Sequence, residues 1–118
     1  MQLLVLVLNK TECLEELLER FVDINVKGAT IIESTGMARA LSEGGGTASF
    51  LGKLSYFINP ERQESRTIFC VVKDEIVNDV RRVVDEVTGG LDNPNTGILF
   101  ALPTLFVDGI HPERIKEK

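Results

Sequence analysis

A chain of 118 residues has room for one domain built around one core. Apolar residues at 43% and charged residues at 26% argue against wholesale disorder. The net charge of -5 argues against partners whose phosphates demand a broadly basic surface, namely nucleic acid and anionic membrane.

Residues 3–8, Leu-Leu-Val-Leu-Val-Leu, form a first strand that is apolar at odd and even positions alike. No basic segment precedes the run and no small-residue cleavage site closes it. At six residues it is too short for a signal sequence or a membrane span, so it reads as a buried strand of a cytoplasmic protein with no membrane insertion. Asn9, Lys10 and Thr11 make a turn, with Thr11 as the expected N-cap and Glu12, Glu15 and Glu16 near the positive end of the helix that follows. That helix is expected to bury Leu14, Leu17, Leu18, Phe21 and Val22 and to end before Lys27-Gly28. A second strand is expected over 29–34.

Residues 35–64 then form a long connection containing Gly36, the triplet Gly44-Gly45-Gly46 and Pro60. Inside it Phe50, Leu51, Leu54, Phe57 and Ile58 have helical spacing, with Thr47 as a cap. A connection of this length in a small domain is functional or mobile. A third strand follows over 66–72. A second long helix, capped by Asp74, turns Ile76, Val77, Val80, Val83, Val84 and Val87 inward. Its five valines are poor helix formers, so packing must hold it. Thr88-Gly89-Gly90 ends it, residues 91–97 are a Gly/Asn/Pro loop, and 98–102 form the fourth strand. Pro103 closes that strand, and Leu105-Phe106-Val107 is a candidate continuation along the sheet edge.

The order is the ferredoxin-like βαββαβ sandwich: an antiparallel sheet with two helices on one face and a long insert, about 36–64, between strands 2 and 3, all in a single domain over 1–118. Two helices cover one face only. Yet strand 1 is apolar on both faces and strand 3 nearly so, where a strand with one wet face alternates. Something must cover the second face, and another copy of the chain is the simplest cover.

Catalytic chemistry has few candidates. The one His, His111, lies in a polar tail, and neither HExxH nor CxxC occurs. Cys13 and Cys70 both sit in apolar patterns and read as reduced, buried thiols. Glu12, Glu15, Glu16 and Glu19 read as a solvated helix face rather than a metal site. Gly44-Gly45-Gly46 lacks the Lys-Ser/Thr of a phosphate loop and reads as a hinge. The chain is therefore expected not to be an enzyme, and no metal or cofactor is expected. Two glycine loops remain, Thr35-Gly36-Met37-Ala38-Arg39 and the stretch from Thr88-Gly89-Gly90 to Thr96-Gly97. Backbone amides in such loops can line an anion site, and the competing reading is that both are plain turns.

Residues 27–39, Lys-Gly-Ala-Thr-Ile-Ile-Glu-Ser-Thr-Gly-Met-Ala-Arg, resemble the segment of the PII nitrogen-regulatory family that ends the second strand and opens the T-loop. Thr88-Gly89, followed by Gly97-Ile98-Leu99-Phe100-Ala101-Leu102-Pro103, is similar to that family's B-loop and last strand. The resemblance implies a cytoplasmic signal-transduction protein, a homotrimer with its sheets inside. It implies an adenine nucleotide (ATP, ADP or AMP) in the clefts between subunits, and control of a partner protein, a transporter or an enzyme, through the T-loop. Carried over by position, Thr30, Gly36, Met37, Ala38 and Arg39 line one side of the cleft, and Thr88, Gly89 and Gly97 the other. Arg39 is the phosphate contact, with a fixed charge and forked donors. The chain departs from the family at Ala40, where the family has Gln, at Ile98, where it has the B-loop Lys, and in lacking the C-terminal Arg pair. The resemblance is thus to a divergent, PII-like member. The alternative is a trimer of the CutA-like kind with a metal-related role.

Overall fold

The alternation that the first strand lacks in polarity is present in its geometry. The computed structural model describes residues 1–37 and 64–110. Among these, strand β1 spans Gln2–Leu8 and is followed by a short 3-10 turn, Thr11–Cys13, that leads into helix α1, Leu14–Asp23. Strand β2 is Thr30–Ser34 and strand β3 is Ser65–Val72. A second 3-10 turn, Asp74–Ile76, opens helix α2, Val77–Thr88, and strand β4 is Gly97–Pro103. The strands make one sheet in the order β2-β3-β1-β4, with every neighbouring pair antiparallel. This α+β arrangement, a four-stranded antiparallel sheet with two helices, is compatible with a ferredoxin-like fold.

Period-2 pleating sends even-numbered β1 residues to one side and odd-numbered ones to the other. Leu4, Leu6 and Leu8 join Ile68, Cys70 and Val72 of β3, and Leu17, Phe21, Val80, Val83 and Val84 of the helices, in one buried cluster. Both helices therefore pack on the even face of β1. Each fully buried Leu or Val in that layer stabilises the fold by about 1.5–3 kcal/mol relative to an exposed one. The helices also touch each other: the Arg20 guanidinium donates to the Glu86 carboxylate, which holds that carboxylate below its ordinary range. Both cysteines are free and buried as expected, with Cys13 Sγ donating to the Val87 carbonyl at 3.5 Å. Burial pushes the Cys70 thiol up to about 11. No helix among the described residues is long and apolar enough to cross a membrane.

Several expectations are corrected. Neither Thr11 nor Asp74 caps a helix through its side chain, because each helix is entered through a 3-10 turn that contains that residue. Val22 is exposed rather than inward. It sits at the margin of the stripe beyond Leu18, which is itself only half-buried. Strand β2 starts at Thr30, not residue 29. Leu105-Phe106-Val107 adds no strand. The last row of the sheet pairs Gln2 with Pro103, and Thr104 turns to donate its N–H and its Oγ1 to the Met1 carbonyl at 3.2 and 3.0 Å. The expected helix over 47–58, with Thr47 as its cap, lies outside the described residues, as do Ala38, Arg39, Ala40 and His111.

Candidate functional site

The two glycine loops leave the same end of the sheet, on opposite edges. Strand β2 ends at Ser34, paired with Ser65, and the first turn of the insert begins there with Gly36 and Met37. Strand β4 starts at Gly97, paired with Leu8, which pairs in turn with Arg66 of β3. Three strand spacings separate the two edges, roughly 14 Å. Between them lie the start of β3 and the Leu8-Asn9-Lys10 exit of β1.

The loop between α2 and β4 is held firmly from within. Gly89 takes φ +84°, the left-handed conformation that closes the helix, and its N–H reaches the Asp85 carbonyl at 3.0 Å. Thr88 is buried; its hydroxyl donates to the Val84 carbonyl at 2.7 Å and accepts from the Gly90 N–H at 3.2 Å. Asn93 Nδ2 donates to the Gly89 carbonyl at 2.9 Å. The N–H groups of Asn9 and Lys10 both donate to the carbonyl of buried Thr96, at 2.9 and 3.1 Å. At Gly97, φ is +152° and an added Cβ would stand 2.5 Å from the Val7 carbonyl oxygen, so only glycine lets β4 approach β1 there. Thr88, Gly89 and Gly97 thus each have a local reason to be what they are, whatever else they do.

One charged group at this end was not singled out by the sequence. Lys10 Nζ donates to the Thr88 carbonyl at 2.9 Å, placing an ammonium at the negative end of α2 and next to Gly89. Nothing in the sequence separates this lysine from any other turn lysine; only folding brings it across 78 positions to Thr88. Arg66 at the same end faces two carboxylates, Glu33 at 3.7 Å and Glu64 at 3.6 Å.

On the opposite edge Thr30, Gly36 and Met37 are exposed. Nothing stands within 4 Å of a Cβ built on Gly36. Thr30 pairs with Phe69 at mid-sheet, four residues and about 13 Å from Ser34. The structure therefore gathers Gly36, Met37, Thr88, Gly89 and Gly97 at one end of the sheet, divided between its two edges, and places Thr30 further along β2.

The other feature is the odd face of β1. Its register sets three apolar rows side by side: Leu3 with Val71 and Leu102, Val5 with Phe69 and Phe100, and Val7 with Thr67 and Ile98. Only Val5, flanked by the two phenylalanines, is buried. Ile98, Phe100 and Leu102 keep 58%, 43% and 50% of their surface exposed, and Ile32 of β2 is exposed beside them. The row at the loop end turns polar: Ser34 Oγ lies 2.7 Å from Ser65 Oγ and 2.9 Å from Thr67 Oγ1. A contiguous apolar sheet face left open to water is an association surface. Among the described residues, no three of His, Cys, Asp and Glu come together as a metal site would need. No protein-family model matches the chain, and no characterised protein matches it in sequence.

Proposed function

We propose that the chain is a PII-like signalling protein. It forms a homotrimer whose sheets face inward, binds an adenine nucleotide in the clefts between subunits, and controls a partner protein through the insert over 36–64, which acts as a T-loop. In this reading the whole chain is one ferredoxin-like βαββαβ domain, without catalytic activity. The observation that carries it is the open apolar face, which a second copy would cover. Covering it would also set a neighbour beside the sheet end where both glycine loops emerge. The nucleotide itself rests on the sequence resemblance, with Gly36, Met37, Ala38 and Arg39 on the insert side and Thr88, Gly89 and Gly97 on the other. Lys10 adds a cation near Gly89, on the side where Ile98 replaces the family's lysine.

The test is thermal stability against ATP, ADP and AMP, with and without magnesium. A ligand at about a hundredfold excess over its Kd should raise Tm by roughly 10 °C. The expected result is a shift with one nucleotide that is lost in Arg39→Ala. The absence of a shift with all three would reject the nucleotide.

A further inference from the structure

We draw no further inference here: the strongest candidate, the apolar surface patch that runs from the open face of β4 onto exposed Leu105 and Phe106 beyond the sheet end, carries nothing, because nothing in the structure shows what covers it.

Discussion

Strand β1 carries the same kind of residue on both of its sides, and the two sides meet opposite fates. Leu4, Leu6 and Leu8 are sealed under two helices, whereas Leu3 and Val7 are only half-buried, on either side of buried Val5, beside exposed Ile98, Phe100 and Leu102. Hydrophobicity alone does not distinguish them. What distinguishes them, among the described residues, is whether a helix lies on top. The helix face is completed by α1 and α2; the other face carries no such layer among the described residues.

The contrast can be broken at several points. Leu6→Ala, on the helix face, should cost about 2–5 kcal/mol in chemical denaturation, equally at all protein concentrations. Cys70 gives a second probe of the same face. Its thiol is held up to about 11 against an ordinary 9.0, so the folded state keeps its proton longer than the unfolded state does. Stability from this group is full below pH 9 and is lost as the pH rises toward 11, by roughly 2–3 kcal/mol in all. At neutral pH Cys70 should react with a thiol reagent only on global unfolding, while Val71→Cys, one residue along on the open face, should react in dilute folded protein. Equal protection of the two would mean that both faces are covered within one chain. The smallest effect should come from Phe100→Ser, within about 0.5 kcal/mol in dilute protein. A loss there as large as that of Leu6→Ala would show that the open face is part of the chain's own core.

Much of the architecture was legible because it follows from periodicity. The stripe Leu14, Leu17, Leu18, Phe21 marked α1, and Gly89 marked the end of α2 through the left-handed conformation that glycine adopts without the strain other residues meet there. The apolar character of β1 on both sides pointed to a second face that the two helices do not cover. Helix starts were not legible, since Thr11 and Asp74 have capping chemistry but were drawn into 3-10 turns instead. The Leu105-Phe106-Val107 stretch read as strand because composition does not reveal that the β1–β4 ladder ends at the Gln2–Pro103 pair and that Thr104 turns the chain at the Met1 carbonyl. At the sheet end, Gly97 looked like a ligand glycine, yet the Val7 carbonyl 2.5 Å from its missing Cβ already requires it. Lys10 and the Ser34-Ser65-Thr67 hydroxyls were invisible because their meetings are tertiary.

The position of β1 at the centre of the sheet bears on how the molecule comes into being. Its two partners begin far downstream: Leu4 pairs with Cys70 and with Ala101. At a synthesis rate of about 5–20 residues per second, this first strand emerges several seconds before either neighbour exists. Among the described strands no paired two are joined by a short hairpin, so this sheet must close long loops before it gains pairing, which slows folding. A strand apolar on both sides is thus made well before the strands that pair with it, and its backbone and apolar side chains stay unpaired in that interval.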